Sequence, residues 1–452
     1  MEFIVKRILL ALLLIGLVWG GSVVKADELM DIARASGYEV YEGYRPKSSI
    51  LIDGNTGDIV WQDNIDESRD PASMSKLMTL YLVYEAIGQG KLTEDTTIRA
   101  TETDQAISAI HEISNNPIYA SVDYTVGDLI AMTLVPSSNV ATVMLANYLS
   151  NNDPDAFMDM MNAKAKELGM TNSVWNNPGG AGASGFRGYY SPKRYDNSAS
   201  NQTTARDMAI LVYHLTKKYP AILEYTRHRV IVTMVDTPYQ QAYNSYNYSL
   251  PGNIYGLEGV TGLKTGSSPR AAFNISMTID RGGQKMIAVI MGVGTWSDMN
   301  SDFQRHAFAN ALINKAYQDF EYKKVLTAGK HSQDGKHYQV ESDLYATVPV
   351  GTSPKLVYKD GQVYADNGLD SVSPLIQDSV KAEDTGVLAT VNKALVKKQS
   401  AEADNQTDFT LTWIGSSLVL LPLALVSYFI FRNEQKNRAQ FKERRKSRSR
   451  NK

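Results

Sequence analysis

The sequence predicts a mixed α/β fold of the α+β kind, in which an antiparallel sheet packs against a helical subdomain. Strand-like segments occur near residues 49–61 and 271–293, and long apolar helix-like segments lie between them. Since strands stand at both ends and helices in the middle, a repeating βαβ pattern is not indicated. A small β-rich domain and a C-terminal transmembrane helix are predicted to follow.

The elements are predicted in order along the chain. Residues 49–53 and 57–61 flank Gly54-Asn55-Thr56, which indicates a hairpin. Residues 74–87 are apolar on every side of a helix, and this is typical of a buried helix rather than a surface one. The remaining segments are helices over 138–149 and 203–217 and strands over 271–280 and 285–293.

The composition changes after about residue 321. Short alternating stretches at 337–350 and 355–365, the second with the turn Lys359-Asp360-Gly361, predict a small β-rich domain over 317–382. The catalytic domain is expected over 27–316, and the polar residues 383–410 are interpreted as a stalk.

Both ends of the chain predict a membrane topology. Residues 1–26 resemble a signal peptide, because Lys6 and Arg7 precede an apolar run. Residues 411–431 contain no charge and are long enough to cross a bilayer. The tail 432–452 holds ten basic and two acidic residues, so the positive-inside rule predicts a cytoplasmic tail and an extracellular body.

Composition excludes several classes of function. The chain has no cysteine, which rules out disulfides, thiol nucleophiles and Cys-based metal sites. Its six histidines have no paired metal-binding spacing, so no metal and no cofactor is expected. The body 27–410 carries 45 acidic and 33 basic residues, which argues against a nucleic acid partner.

The first catalytic candidate is Ser73-Met74-Ser75-Lys76, after Asp70-Pro71 at a predicted helix start. Residues i and i+3 share a helix face, so Ser73 and Lys76 should meet. A serine hydroxyl needs a base to become a nucleophile. A lysine serves as that base only when burial or a neighbouring cation lowers its pKa.

Two further motifs complete the set. Ser137-Ser138-Asn139 supplies a second hydroxyl, which can relay a proton, and an amide, which can hold a substrate amide. Lys264-Thr265-Gly266, just before the final strand pair, supplies a cation and a hydroxyl for a carboxylate, with a glycine that admits substrate backbone.

Together these motifs resemble those of low-molecular-mass penicillin-binding proteins of the D-alanyl-D-alanine carboxypeptidase group. The resemblance implies a β-lactamase/DD-peptidase-like fold and an acyl-enzyme mechanism, with peptidoglycan stem peptides ending in D-Ala-D-Ala as substrate and β-lactams as acylating agents. It also implies that the extracellular catalytic domain faces the cell wall. It also implies catalytic roles for Ser73, Lys76 and Ser137 and substrate binding by a second group of residues. That group comprises Asn139, Lys264, Thr265, Gly266 and Ser267.

Alternatives stay open from the sequence. The acyl-enzyme could pass to water, as in a carboxypeptidase, or to a second stem peptide, as in a transpeptidase. A serine β-lactamase would use the same apparatus, but class A enzymes add a Glu-x-x-Leu-Asn loop that is missing between Asn139 and Lys264. A non-catalytic penicillin-binding sensor of the cell wall would not need all three motifs.

Overall fold

The computed structural model describes residues 28–386 of the 452-residue chain. The chain divides into two compact units, Met1–His331 with Gln339–Glu383, and Ser332–Tyr338 with Asp384–Lys452. Nearly all described residues, and every candidate site residue, belong to the first unit. The predicted boundary at residue 316 between a catalytic and a β-rich domain stays a prediction.

Along the chain, most helices of the described residues come between the first and the last strand of the main sheet. They are α1 (Glu28–Ala35), α2 (Lys76–Gly88), α3 (Glu102–Ser108), α4 (Val126–Leu134), α5 (Asn139–Leu149), α6 (Pro154–Glu167), α7 (Ala205–Lys218), α8 (Ile222–Thr226) and α9 (Asn300–Asp319), with 3₁₀ turns at Glu42–Tyr44, Ala72–Ser75 and Ala183–Phe186.

The strands fall into an early pair, a central group and a C-terminal group. They are β1 (Ser48–Asp53), β2 (Ile59–Asp63), β3 (Thr97–Arg99), β4 (Asp123–Thr125), β5 (Val230–Thr233), β6 (Gln241–Asn244), β7 (Val260–Ser268), β8 (Ala272–Arg281), β9 (Gln284–Val293), β10 (Phe320–Leu326), β11 (Gly329–Gln333), β12 (Lys336–Val340), β13 (Leu344–Pro349), β14 (Lys355–Lys359), β15 (Gln362–Asp366) and β16 (Val380–Asp384).

Five strands form the main antiparallel sheet in the order β2-β1-β9-β8-β7. The turn between β8 and β9 has the two residues Gly282 and Gly283, both at positive φ, between the paired Arg281 and Gln284. Two consecutive residues at positive φ suit the twist of a tight hairpin and favour glycine. Strand β7 forms one edge of this sheet.

Both faces of the main sheet are buried, since alternate side chains of a strand point to opposite faces. Ile50 and Ile52 belong to the core formed with helices α2, α4 and α5. Leu51, between them, belongs to the second core with α1 and α9. The sheet is therefore sandwiched between the helical region and two terminal helices.

Helix α2 is deeply buried in the helical region. Its first nine residues, Lys76 to Tyr84, are all buried, which exceeds two full helical turns and leaves no face to solvent. The prediction of a buried helix over 74–87 is confirmed, with a 3₁₀ turn in place of its first residues.

The C-terminal part of the first unit has a small core of its own. Leu326, Val340, Leu344, Val363 and Ala382 are buried together. Strands β14 and β15 meet at the predicted turn, where Asp360 and Gly361 both have positive φ. This region is β-rich, as the sequence indicates.

The predicted fold class is wrong in its last element, the transmembrane helix. Within residues 28–386 no helix combines the length and the apolar character that a membrane span requires. The longest, α9, has 20 residues but carries Asp302, Arg305 and Lys315 among others. Residues 411–431, where the span is predicted, lie outside the described residues, as do 1–26, 387–410 and 432–452. The described chain is a mixed α/β fold followed by β-rich structure.

Candidate active site

The 3₁₀ turn Ala72–Ser75 carries the predicted nucleophile into α2. Ala72 has φ 46°, a left-handed conformation, and its N–H donates to the Asp70 carboxylate over 2.7 Å. The N–H of Met74 donates to the carbonyl oxygen of Pro71. These bonds fix a strained turn directly before Ser73, whose side chain is only half-buried.

Lys76 lies one turn after Ser73 and is completely buried. Its Nζ is 3.1 Å from the Ser73 hydroxyl, 2.8 Å from Asn139 Oδ1 and 2.7 Å from the Gly179 carbonyl oxygen. Burial, and secondarily the positive charge of Lys264, hold the pKa of Lys76 well below its usual value. The neutral amine that a general base requires is thus favoured.

The second motif stands at the start of α5. Ser138 caps the helix by accepting from the Ala141 N–H, and Ser137 has φ 62°. The Ser137 hydroxyl oxygen is buried and finds no hydrogen-bond partner among residues 28–386. Asn139 donates from Nδ2 to the Ser114 carbonyl oxygen while its Oδ1 contacts Lys76, so both ends of this amide are engaged within the protein.

The third motif lies on edge strand β7. Lys264 is buried, and its Nζ donates to the Thr265 carbonyl oxygen. Burial, followed by the charge of Arg305, lowers the pKa of Lys264 to about 7. A Cβ on Gly266 would lie 2.4 Å from the Pro71 carbonyl oxygen, so only glycine lets β7 approach the nucleophile turn this closely.

Arg305, on α9, is a site residue that the sequence motifs miss. Its Nη1 donates to the Ser267 hydroxyl over 2.9 Å and to the Asn274 carbonyl oxygen, and Nη2 pairs with Asp302 at 2.5 Å. The guanidinium is buried behind β7. The one signal in the sequence that could have indicated Arg305 is its spacing of three residues from Asp302, which allows an ion pair on a helix.

A network of buried asparagine side chains holds the segment that contacts Lys76 from the side of Gly179. Asn201 accepts from the N–H groups of Asn176 and Asn177 through Oδ1, and its Nδ2 donates to the Ser75 hydroxyl and the Asn177 carbonyl. Asn177 Oδ1 in turn accepts from the Gly180 N–H. This network presents the Gly179 carbonyl to Lys76, and the sequence motifs give no sign of Asn201.

An open cleft of about 610 Å³ connects these parts. Ser73, Asn139 and Ser267 line it, together with Trp296 and with Glu112 at the rim. The structure therefore brings Ser73, Lys76 and Asn139 into direct contact and places Ser267 across the same cleft. No group of metal-ligating side chains occurs in residues 28–386.

Comparison with known proteins agrees with this geometry. Residues 39–295 match the peptidase S11 family, D-alanyl-D-alanine carboxypeptidase, and residues 322–383 match a domain of unknown function, DUF1958. D-alanyl-D-alanine carboxypeptidase DacF of Bacillus subtilis is 28% identical over 64% of this chain and 67% of its own. DacA of Haemophilus influenzae is 27% identical over 73% of this chain and 78% of its own.

Solved structures of penicillin-binding proteins are also similar to this chain. A peptidoglycan synthesis regulatory factor, PBP3, of Streptococcus pneumoniae is 26% identical and superposes with a TM-score of 0.65 over 75% of this chain and 98% of its own. Penicillin-binding protein 5 of Haemophilus influenzae, 23% identical with a TM-score of 0.59 over 77% and 97% of the two chains, shares the fold.

Proposed function

The chain belongs to the D-alanyl-D-alanine carboxypeptidase family of low-molecular-mass penicillin-binding proteins, and on that premise we propose that Ser73, Lys76 and Ser137 perform its serine-type acyl transfer. The substrate is a peptidoglycan stem peptide that ends in D-Ala-D-Ala, and β-lactams acylate the same serine.

The contacts of Lys76 carry the proposal. A neutral amine has two N–H groups and one lone pair. Asn139 Oδ1 and the Gly179 carbonyl oxygen can only accept hydrogen bonds, so they take the two N–H groups. The lone pair is left for Ser73, the contact that can donate a proton. Asn139 is accordingly a positioning residue for Lys76, in addition to its proposed contact with the substrate amide.

Acylation follows from this arrangement. Ser73 Oγ bonds to the carbonyl carbon between the two D-alanines while its proton passes to Lys76. The backbone N–H groups of Ser73 and Ser267 would stabilise the resulting oxyanion. The C–N bond then breaks, and the leaving D-alanine takes the proton from Lys76 through the Ser137 hydroxyl. Water attacks the acyl-enzyme in the reverse sense and restores Ser73.

We expect the terminal carboxylate to be recognised by strand β7, which forms one wall of the cleft. We assign it to Lys264 and the hydroxyls of Thr265 and Ser267, with Gly266 admitting the peptide backbone. Arg305 supports the Ser267 hydroxyl from behind and adds positive charge to this wall. An anionic group bound here gains charge-assisted hydrogen bonds, which are stronger than neutral ones.

The family acts on the cell wall, and the remaining proposals follow from that. We propose that residues 1–26 direct export, so that the cleft meets peptidoglycan outside the cell. Amino-terminal sequencing of the mature protein would test this, since an N-terminus at Met1 contradicts cleavage.

Fluorescent penicillin and D-alanine release test the catalytic assignment. The wild-type protein should be labelled covalently and should release D-alanine from a pentapeptide stem without added metal. Ser73→Ala should abolish both, whereas Ser68→Ala, an exposed serine five residues upstream, should change neither. Labelling of Ser73→Ala would refute the assignment of the nucleophile, and rapid penicillin hydrolysis without D-alanine release would favour a β-lactamase.

A further inference from the structure

Asn274, on β8, is a buried side chain that joins the main sheet to the nucleophile turn, Ala72–Ser75. Its Nδ2 donates to the Asp70 carbonyl oxygen over 3.0 Å, and its Oδ1 accepts from the Gly292 N–H over 2.8 Å. Asp70 lies just before the turn that presents Ser73. One amide therefore connects two strands of the sheet, β8 and β9, to the peptide from which the nucleophile turn starts.

The sheet is irregular where Asn274 lies. The register of β8 and β9 shifts between Phe273 and Ile275, so that one residue of β8 faces two residues of β9. Gly292, one of these two, has φ 71°, a left-handed conformation that favours glycine. A bulge of this kind bends a strand and redirects side chains, and bulges are frequent beside active sites. Here the bulge brings the Gly292 N–H to the Asn274 side chain, which fixes the orientation of its amide.

Gly266 of β7 pairs with Asn274 and leaves room for its amide. A Cβ on Gly266 would lie 2.4 Å from the Pro71 carbonyl oxygen, so this face of the strand lies directly against the nucleophile turn. Paired residues of neighbouring antiparallel strands carry their side chains on the same face. Because Gly266 has no side chain there, the Asn274 amide can reach past it to the Asp70 carbonyl oxygen.

Ser267, whose N–H is the second proposed donor to the oxyanion, is held by the same strand. It pairs with Phe273, the residue before Asn274. Arg305 Nη1 donates both to the Ser267 hydroxyl, over 2.9 Å, and to the Asn274 carbonyl oxygen, over 3.1 Å. The positions of β7 and of the nucleophile turn are thus both fixed at one point of β8.

We propose that Asn274 is a positioning residue that sets the separation between the two N–H groups of the oxyanion hole. One of these groups belongs to Ser73 on the nucleophile turn, and the other belongs to Ser267 on β7. Backbone pairing holds β7 to β8, and the Asn274 side chain holds the turn to β8. Donors fixed before the reaction stabilise the developing charge without reorganisation. The inference rests on the proposed function, in which these two N–H groups stabilise the oxyanion.

Acylation kinetics of the full chain test the proposal. Asn274→Ala removes both side-chain hydrogen bonds, and Asn274→Leu removes them with little change in side-chain volume. In both variants the rate constant for acylation by saturating fluorescent penicillin should fall on the order of 100-fold, the effect of a displacement of about 1 Å. The dissociation constant of the non-covalent penicillin complex should change little, because an oxyanion hole acts on the transition state.

Asn310→Leu is the matched control. Asn310, on α9, is as completely buried as Asn274, and its Nδ2 donates to the Tyr38 hydroxyl and the Tyr255 carbonyl oxygen. Its replacement should lower the urea midpoint of unfolding, as the replacement of Asn274 does, but should leave the acylation rate constant unchanged. The control therefore separates a general loss of stability from a displacement of the oxyanion hole.

A peptide boronic acid gives a second readout. Its boron bonds to Ser73 Oγ and holds a hydroxyl where the oxyanion would lie, so its affinity should fall by the same factor as the acylation rate constant. Acylation of Asn274→Leu at the wild-type rate, an equal loss in Asn310→Leu, or unchanged boronate affinity in a slowly acylated Asn274 variant would each overturn the positioning role. A wild-type protein that penicillin does not label would instead overturn the proposed function.

Discussion

Replacing Gly180 by alanine should damage both the stability and the acylation rate of the enzyme. Gly180 has φ +90°, and a Cβ built on it lies 1.9 Å from the Ala72 carbonyl oxygen and 2.8 Å from the Ser73 N atom. The left-handed conformation costs about 1–2 kcal/mol for a residue with a Cβ. Overpacking adds about 1–3 kcal/mol, so we expect a total of about 2–5 kcal/mol. Displacing the Ser73 turn by about 1 Å should slow acylation on the order of 100-fold.

Gly188→Ala separates the two contributions. Gly188 has the same φ of +90°, but a Cβ there meets nothing within 4 Å. It should therefore cost only the conformational strain of about 1–2 kcal/mol and leave acylation unchanged. Urea unfolding measures the stability of both variants, and the rate of labelling by fluorescent penicillin measures acylation. Acylation of Gly180→Ala at the wild-type rate, or equal unfolding free energies for the two variants, would refute the argument.

Three further predictions concern the buried groups. Lys76→Ala should slow acylation by about 10²–10⁴-fold, the usual contribution of a general base, and a near wild-type labelling rate would exclude Lys76 from that role. Lys264 has a folded pKa of about 7 against 10.5 for the free side chain, so the unfolded chain binds more protons between these values and stability rises with pH. From pH 7 to pH 9 this rise should be about 2 kcal/mol in urea titrations, and Lys264→Met should remove it. Asn201→Ala should lower the unfolding free energy by about 1–3 kcal/mol, because it leaves buried N–H groups without an acceptor. It should also slow acylation, because the Gly179 carbonyl would move. An acylation rate equal to that of the wild type would show that the network does not position that carbonyl.

Local patterns predicted much of the fold. Residues 203–217 contain both the cap Thr204 and the periodic apolar residues of α7, which the structure has over Ala205–Lys218. The strand predicted over 271–280 shifts by one residue at both ends, and the strand predicted over 285–293 begins one residue earlier and ends where predicted, since the paired glycines 282 and 283 determine the turn. The transmembrane helix is the element that has to be corrected.

The candidate site was less completely predictable. The three motifs predict Ser73, Lys76, Ser137, Asn139 and the β7 residues, because each pairs a reactive side chain with a local spacing, and their roles stay predictions. Groups that act through tertiary contact carry no such spacing. Arg305 reaches Ser267 across 38 residues, and Asn201 reaches Ser75 across 126. The Gly179 carbonyl is a backbone atom, so no residue type marks it in the sequence.

The burial of α2 also sets a limit on how the enzyme can move. Nine consecutive buried residues follow directly after the nucleophile turn, so exposing their amide groups requires the helical core itself to open. Such segments exchange their amide protons only at a free energy near that of global unfolding. Ser73 and Lys76 are therefore anchored to a segment that does not unfold locally during turnover. Any conformational change that admits a stem peptide or releases a product must therefore occur in the half-exposed parts of the cleft opposite α2.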